Sequence, residues 1–384
     1  MDAVRLDAAG NVLSERPVMR ARNLLMDAGL DYVATNGWLS GFAYFGLATD
    51  PITLRRDSGV ATVTRVGNTL TASASFFEAA DVGRVVVLTG DAQEMRITGY
   101  TPGGTQVTVG GAARDVAAAH ATVLYCNQTA LSGAGPLARF ATVATNTNAN
   151  GASWNGTTGV LSTWVTRLST AAAANTTYKA IGWFNAPTGG TMMGAVNING
   201  GAGDVLLTGE QYRVKVQLDR KIGPLTPVDL GAAITGWAAT ITAQIEGIGY
   251  EVWSTVGTLS QPANFHTQLE PNATLGVQPF TQALALRAPT YGANVEWPTG
   301  SIGTSKNLTN ASYVSGSFYR DASITFAVGD NNAANWRTIG FGNAGSAGKC
   351  AFRLLLSADM PKTTDDTLTL TIRRSWGRDL SEFL

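Results

Sequence analysis

Charge is the scarcest property of this sequence. Only 14% of its 384 residues are charged, whereas an average soluble domain has about 25%. The 27 basic and 27 acidic residues balance, so the chain has no net field that would attract nucleic acid or an anionic membrane. We therefore expect no nucleic-acid partner and no role in packaging a genome.

Residue types that build catalytic and metal sites are also few. The two histidines, His120 and His266, and the two cysteines, Cys126 and Cys350, do not have the spacing of a zinc site. The glycines fit neither a P-loop nor a dinucleotide-binding fingerprint. The stretch from Asp330 begins like a calcium loop but lacks the glycine that such a loop has at its sixth position. We expect no cofactor, no bound metal and no enzymatic activity.

Long apolar runs are missing as well. One long stretch without charge, residues 116–138, contains several polar residues and a proline, which does not suit a membrane span. The N-terminal sequence MDAVRLDAAG lacks the apolar core of a signal peptide. Two cysteines cannot form a disulfide framework, and whether Cys126 and Cys350 pair or stay as thiols is open at this stage. We expect neither membrane insertion nor secretion.

Small and polar uncharged residues take the place of the missing charges. Between Phe140 and Gly203 the only charged residues are Arg167 and Lys179. Surface helices usually need Glu, Lys and Arg, whereas Thr and aromatic residues suit strands, and Gly and Asn suit turns. The composition therefore predicts an all-β fold made of antiparallel β-sandwich or jelly-roll-like units.

The clearest helical pattern lies between residues 21 and 36. Leu24, Leu25, Ala28 and Tyr32 can share one helical face, but Gly29 falls inside the pattern and would interrupt it. We predict a short N-terminal helical or irregular segment of one or two turns at most.

Strand patterns divide the remainder of the chain. Five alternating or β-branched stretches between residues 60 and 111 are typical of a small antiparallel domain. The stretch NTTYKAIGWFN from Asn175 is similar to AANWRTIGFGN from Ala333, which fits a tandem pair of related sandwiches, although such Gly- and aromatic-rich sequences also match by chance. The expected divisions are an attachment or oligomerisation segment (1–50), a small antiparallel β domain (51–139), a first β-sandwich unit (140–256), a loop-rich connection (257–309) and a second β-sandwich unit (310–384).

Three stretches resemble structural proteins of tailed bacteriophage particles. The first, NLLMDAGLDYVATNGWLSGFAYFGLATD from Asn23, has an Asn-Leu opening and a Gly-Leu-Asp step before a tryptophan and an aromatic-rich strand. The second runs from Val63 through FFEAADVGR and EMRITGY, and the third is FRLLLSADMPKTTDDTLTLTIRRSWGR from Phe352. The family is that of tail, neck or collar, and fibre-associated virion proteins. The resemblance implies a non-enzymatic component of the virion, assembled in the host bacterial cytoplasm, whose partners are copies of itself and other virion proteins.

The segment from Asn23 to Asp50 is compact, apolar and punctuated by glycine, which suits docking onto another protein. The alternative is that it forms an ordinary folded edge of the first domain. Its candidate attachment residues are Asn23, Leu24, Leu25, Leu30, Tyr32, Trp38, Phe42, Tyr44 and Phe45.

A receptor-binding adhesin that contacts a bacterial surface glycan is the alternative function. Residues 261–309 are rich in Gln, Asn, Pro and Gly and would supply binding loops, because exposed aromatic rings can stack on sugars. The candidate glycan-contact residues are Phe265, Phe280, Tyr291 and Trp297.

Overall fold

The computed structural model describes residues 1–131, 139–140, 142–143, 150–155, 160–221, 228–234, 241–247, 271–281, 302–342 and 350–378. Within these ranges all paired strands are antiparallel, and they form several sheets. The predicted all-β class is therefore confirmed.

The N-terminal region combines short strands with two short helices. Its elements are β1 (Asp2–Leu6), β2 (Val12–Pro17), β3 (Leu24–Leu25), α1 (Asp27–Asn36), α2 (Trp38–Gly41) and β4 (Tyr44–Ala48). Helix α1 is longer than the one or two turns that the sequence predicted. Gly29 lies inside this helix, because the helix packs so closely on a neighbouring strand that a Cβ at this position would stand 2.6 Å from the carbonyl oxygen of Met193.

The small domain that follows contains all five strands predicted there. Its strands are β5 (Arg55–Asp57), β6 (Val63–Val66), β7 (Thr69–Ala72), β8 (Val85–Leu88), β9 (Asp91–Thr101), β10 (Gln106–Val109), β11 (Val116–Ala119) and β12 (Ala121–Leu124), with a 3₁₀ turn at Ala79–Asp81. They pair in the order β11-β6-β7-β10-β9-β8-β12-β5. Alternation of buried and exposed residues along β6 and β10 places one face of each strand in the core and the other in water.

The next stretch of chain completes two sheets that the N-terminal strands begin. Its strands are β13 (Arg139–Phe140), β14 (Thr142–Val143), β15 (Asn150–Asn155), β16 (Val160–Leu168), β17 (Thr176–Tyr178), β18 (Ala180–Phe184), β19 (Met192–Asn197), β20 (Asp204–Leu206) and β21 (Gln211–Lys221), with a 3₁₀ turn at Ile198–Gly201. The N-terminal sheet has the order β14-β16-β21-β1-β2, with β15 also paired to β16, and the middle sheet has the order β13-β4-β18-β19-β3. Strands β17 and β20 form a separate two-stranded ribbon.

The middle sheet is buried on both faces. Successive residues of a strand point to opposite faces, so Ile181 and Trp183 of β18 enter one core, while Ala180 and Phe184 enter another. The first core is shared with the N-terminal sheet and helix α1, and the second is shared with β8 and β12 of the small domain. Because neither face meets water, the sequence of β18 is an unbroken apolar run in which polar residues do not alternate with apolar ones.

The C-terminal unit is a sandwich of a six-stranded and a three-stranded sheet. Its strands are β22 (Val228–Ile234), β23 (Ile241–Gly247), β24 (Gly276–Phe280), β25 (Lys306–Asn307), β26 (Thr309–Asn310), β27 (Tyr319–Phe326), β28 (Ala333–Gly342), β29 (Cys350–Lys362) and β30 (Leu368–Ser375). The two sheets have the orders β22-β23-β29-β28-β24-β25 and β26-β27-β30. Trp336 and Phe326 pack edge to face between them, with ring centroids 5.0 Å apart.

The sheets do not follow the expected division of the chain. Strand β1 pairs with β21, and β4 pairs with β18, so residues 1–50 are part of the first sandwich and not a separate segment. Strands β22 and β23, expected in the first unit, join the C-terminal sheet through the β23–β29 pairing. The order of the strands along the chain did not predict their grouping into sheets, because antiparallel sheets can contain strands that are far apart in sequence.

The two similar stretches also occupy different surroundings. Strand β28 pairs directly with β29, but β18 pairs with β4 and β19. Strand β21, whose sequence YRVKVQLDR from Tyr212 is similar to FRLLLSADM of β29, lies in another sheet. The described pairings therefore do not repeat between the two stretches. Neither of the helices in the described ranges is long or apolar enough to cross a membrane.

Candidate functional site

Most of the predicted attachment residues lie inside the protein. Leu24, Leu30, Trp38, Phe42 and Phe45 are buried in the two cores on either side of the middle sheet. The remaining four are half-buried: Asn23, Leu25, Tyr32 and Tyr44. In the folded chain the five buried side chains are not available to a partner. Their observed contacts are those of a folded part of the first sandwich.

Helix α1 is instead the place where three parts of the chain meet. It begins at Asp27, whose negative charge suits the positive end of the helix dipole. Leu30 and Val33 anchor its inner face in the core beneath it. The polar contacts of helix α1 with the small domain and the C-terminal unit are called the helix junction. Its residues in the helix are Asp27, Leu30, Asp31 and Thr35. Their partners are Glu94, Arg96, Asn272, Tyr313, Ser315, Gly316, Trp376 and Arg378.

Arg378 forms the buried centre of the helix junction. Its side chain is only 2% exposed, and its Nη2 lies 2.5 Å from Asp27 Oδ1. Its Nη1 lies 3.1 Å from both carboxylate oxygens of Glu94, and its Nε donates to the carbonyl oxygen of Leu25 at 2.6 Å. Arg96 donates to the second oxygen of Asp27 at 3.0 Å. One guanidinium thus joins the C-terminal end, the helix and the small domain.

The charges of the helix junction stabilise one another. Burial opposes ionisation of Asp27, but the hydrogen bond from Arg96 and the charge of Arg378 outweigh it, so the pKa of Asp27 lies below its ordinary value. Burial would also lower the pKa of Arg378, yet the neighbouring anionic groups, Glu94 and Asp27 among them, raise it overall. Both groups therefore remain charged at neutral pH.

A second carboxylate of helix α1 binds a loop of the C-terminal unit. Asp31 accepts hydrogen bonds from Tyr313 Oη at 2.6 Å, Ser315 Oγ at 2.5 Å and the Gly316 amide at 2.8 Å. Burial, and then the hydrogen bond to Asp31, raise the pKa of Tyr313 to about 12, so this phenol keeps its proton as a donor.

Two further contacts bring the C-terminal unit against the helix backbone. Trp376 Nε1 donates to the carbonyl oxygen of Leu30 at 3.1 Å, and its ring packs on Tyr313 with centroids 5.5 Å apart. Asn272 Nδ2 donates to the carbonyl oxygen of Thr35 at 3.0 Å. Thr35 lies in the last turn of the helix, where carbonyl groups lack a partner within the helix.

An open pocket of about 430 Å³ lies beside strand β2. At its wall, Arg16 contacts both oxygens of Asp204 at 2.6 and 3.1 Å and Glu210 at 3.1 Å. Tyr212 Oη donates to Asp204 at 2.9 Å, and burial followed by that hydrogen bond raises the pKa of Tyr212. The Asp204 carboxylate is held in place by an arginine and a protonated phenol, which is the arrangement of a structural ion pair and does not favour acid–base catalysis.

The described ranges contain no group of three His, Cys, Asp or Glu residues placed to bind a metal. Asp330, which opens the calcium-like stretch, pairs with Lys306 and accepts the Ala327 amide at 2.7 Å. An ammonium group therefore occupies the position of a cation there. Asp366 accepts the amide and hydroxyl of Thr363, both at 2.7 Å, as in an ordinary turn.

The predicted glycan-contact residues are not assembled into a visible site. Phe280 lies in β24 and is only 1% exposed, so it cannot stack on a sugar in the folded protein. Phe265, Tyr291 and Trp297 lie outside the described residues. Cys126 is a free, buried thiol, and burial raises its pKa to about 12; the side chain of Cys350 is outside the description.

Strand β2 is an open edge of the N-terminal sheet. It pairs with β1 on one side, and no described strand pairs with its other side. Its apolar residues Val12 and Leu13 are 42% and 69% exposed. Two more exposed apolar residues, Val205 and Leu207, line the neighbouring pocket beside Arg16. This surface and the helix junction were both missed in the sequence, because each joins residues that are far apart along the chain.

Comparison of the chain with protein-family models, with curated proteins and with solved structures finds no match.

Proposed function

We propose that the protein is a non-enzymatic structural component of a tailed phage particle, and that it forms part of a tail, collar or fibre through β-rich contacts between copies. The observation that carries the proposal is the open edge of strand β2, where the apolar residues Val12 and Leu13 are exposed. Support also comes from the resemblance of three stretches to virion proteins and from the low charge of the chain.

The outer side of an edge strand has an unpaired backbone. Such a strand offers a row of N–H and C=O groups to another chain, and soluble proteins usually block it with charges, proline or a covering element. Here Pro17, Arg16 and Glu15 protect one end of β2, but the end with Val12 and Leu13 lacks this protection. Pairing at this edge would bury apolar side chains and extend the sheet across a symmetric contact.

The contacts that hold the units of the chain together also support a structural role. The middle sheet shares a core with the sheet on each side, and the helix junction fixes the C-terminal unit against both the first sandwich and the small domain. A component of a tube, collar or fibre transmits force between neighbours, which requires units that do not move independently.

The mass of the purified full chain, measured by light scattering after size exclusion and imaged in negative stain, tests the proposal. We expect a closed ring or an elongated trimer. Replacing both apolar residues of the edge, Val12→Lys with Leu13→Lys, should reduce the mass, because two ammonium groups would have to be buried at the contact. Val60→Lys is the matched control, since Val60 is 98% exposed in a turn of the small domain.

Two results would contradict the proposal. One is a monomer at every concentration up to that used for imaging. The other is release of sugar or hydrolysis of an ester by the pure protein, which would make it an enzyme. If the Val60→Lys variant lost as much mass as the edge variant, β2 would not be the contact between copies.

A further inference from the structure

Lys362, at the end of β29, is a buried lysine. It is only 1% exposed, whereas a lysine is almost never fully buried unless it has a partner. Its Nζ donates to the carbonyl oxygen of Ala327 at 2.7 Å and to Oδ1 of Asn332 at 2.8 Å. Both acceptors are uncharged oxygens of the turn between β27 and β28. The amino group is therefore held against the side-chain amide of an asparagine that lies 30 residues away along the chain.

Hydrogen bonds fix the turn that carries this asparagine. Asn332 Nδ2 donates to the carbonyl oxygen of Val328 at 2.9 Å, so both the oxygen and the nitrogen of its amide are bound. The preceding residue, Asn331, has a φ of 51° and donates to the carbonyl oxygens of Ile302 and Thr304 at 2.6 and 3.0 Å. These bonds keep the amide in one orientation relative to the lysine.

The amino group is close to the carbonyl carbon of the amide. A C=O bond is about 1.2 Å long, so the 2.8 Å between Lys362 Nζ and Asn332 Oδ1 places Nζ within about 4 Å of Cγ. Reacting atoms in a near-attack arrangement stand about 3–3.5 Å apart, so a small shift of the lysine side chain brings the two atoms within reach. Asn332 is itself exposed, which lets a released molecule leave into water.

The surroundings of the lysine favour its uncharged, nucleophilic form. Burial lowers the pKa of Lys362 from its ordinary value, although the charges of Asp330 and Asp366 oppose this effect. The charge of Lys306 acts in the same direction as burial. Desolvation and a neighbouring cation are the two conditions that activate a lysine as a nucleophile.

A carboxylate that can move a proton belongs to the same turn. Asp330 pairs with Lys306 and accepts the amide of Ala327 at 2.7 Å, and these two hydrogen bonds hold its pKa below the ordinary value. The backbone amide of Asp330 donates at 2.9 Å to the carbonyl oxygen of Ala327, which also binds Nζ of Lys362. An ionised carboxylate beside the lysine is suited to accept a proton from the amine and to pass it to a leaving nitrogen.

We propose that Lys362 and Asn332 join in an amide cross-link, which the folded protein forms by itself. The neutral Nζ of Lys362 attacks Cγ of Asn332, and an N–C bond forms while the carbonyl electrons move to Oδ1. Asp330 takes a proton from Nζ and gives it to Nδ2, the Cγ–Nδ2 bond breaks, and ammonia leaves; no oxidant or cofactor is needed. The link restricts the unfolded chain as a disulfide does. This modification goes beyond the structural role proposed above and does not depend on it.

The intact mass of the purified full chain, measured after denaturation, tests the proposal. We expect a mass about 17 Da below that calculated from the sequence, because one ammonia is lost. Trypsin should leave residues 321–337 joined to residues 354–373, since it does not cleave after a lysine whose amine is acylated. Lys362→Met and Asn332→Ala should each have the calculated mass. Asp330→Asn should slow the loss of ammonia by about 100-fold or more, because the carboxylate that moves the proton is gone.

A cyclic imide at an Asn-Gly step would lose the same mass, and Asn199, which precedes Gly200, supplies the matched control. Asn199 is exposed and its Nδ2 donates to the carbonyl oxygen of Gly203 at 3.0 Å. Asn199→Ala should leave the loss of mass unchanged. Circular dichroism shows whether each variant keeps its fold, and Asn332→Ala, which changes an exposed residue, keeps the test valid if Lys362→Met does not fold.

Three outcomes would overturn the cross-link. The wild-type protein keeps its calculated mass after incubation at neutral pH, or the loss of ammonia persists in Lys362→Met, or the tryptic peptides 321–337 and 354–362 are recovered separately. Lys362 would then be a lysine that only donates hydrogen bonds to the turn. If Asp330→Asn lost ammonia as fast as the wild type, the role of Asp330 in moving the proton would be refuted.

Discussion

Replacing Arg378 with methionine removes a cation that joins helix α1, the small domain and the C-terminal end of the chain. Methionine keeps much of the length and apolar surface of the arginine stem, so the change acts mainly on charge and hydrogen bonding. Four acceptor atoms then lose their donor: the Leu25 carbonyl, one oxygen of Asp27 and both oxygens of Glu94.

The size of the effect follows from the exposure of the groups that remain. Removing one partner of a fully buried ion pair costs about 3–5 kcal/mol. Here the side chains of Asp27 and Glu94 are 19% and 24% exposed, and Asp27 keeps its bond from Arg96. Water and Arg96 therefore compensate part of the loss, and we expect about 2–3 kcal/mol.

Hydrogen exchange at the amides of helix α1 is the most direct assay, because it reports the free energy of local opening even when several units unfold separately. Urea unfolding followed by circular dichroism gives the corresponding global value. The free energy of opening of the helix should fall in the Arg378→Met variant by the amount given above.

Arg373→Met is the matched control. Arg373 also forms two hydrogen bonds with a carboxylate, at 2.7 and 2.8 Å from Asp321, but its side chain is 56% exposed. An exposed pair of this kind contributes little to stability because water replaces it. If the two variants lost the same stability, the argument from burial would be refuted.

The difference between the wild type and Arg378→Met should also depend on pH. In the folded protein the pKa of Asp27 lies below its ordinary value of 3.8. A carboxyl whose pKa falls on folding contributes its full stability above the unfolded pKa and loses it as the pH falls through the folded pKa. The stability difference should therefore be constant near neutral pH and shrink below about pH 4. A difference that grew on acidification would contradict the ion pair.

Substitutions at Gly29, Cys126 and Asp31 test three further contacts. Gly29→Ala should destabilise the chain by about 1–3 kcal/mol in urea unfolding, because a Cβ there meets the backbone of β19, whereas Gly377→Ala, with open space around it, should have little effect. In a Cys350→Ser background, Cys126 should resist a thiol reagent at pH 8 until urea unfolds the chain, because its pKa is about 12; rapid labelling of the folded protein would contradict its burial. Asp31→Ala should speed hydrogen exchange at residues 313–316, which lose the carboxylate that binds them, and unchanged exchange would argue against that anchor.

Local patterns in the sequence were sufficient to predict the strands of the small domain. In β6 and β10 one face of the strand meets water, so apolar and polar residues alternate, and Gly-rich turns mark the ends. Helix α1 shows where a local rule fails. Gly29 is a poor helix former by propensity, yet its place in the helix is set by the close approach of β19, which no local pattern contains.

The segment from Asn23 to Asp50 shows why composition alone could not assign a role. An apolar stretch with glycines looks the same whether it packs against its own chain or against a partner. In the fold Leu30, Trp38 and Phe45 fill the protein's own core. The open edge at Val12 and Leu13, in contrast, lies in a stretch with no unusual pattern.

The helix junction could not be predicted from a single sequence, for a different reason. Its ion pairs join Asp27, Glu94 and Arg378, which are 67 to 351 residues apart along the chain. Only the pairing of distant strands brings them together.

The mass of the purified full chain in solution shows whether copies of the chain assemble through the edge of β2. Light scattering after size exclusion should give an integral multiple of the 40.1 kDa chain, with a ring or an elongated trimer in the images of the same peak. The variant with lysine at positions 12 and 13 should give a smaller particle. A mass of one chain at all concentrations, unaffected by these substitutions, would contradict assembly through the edge of β2.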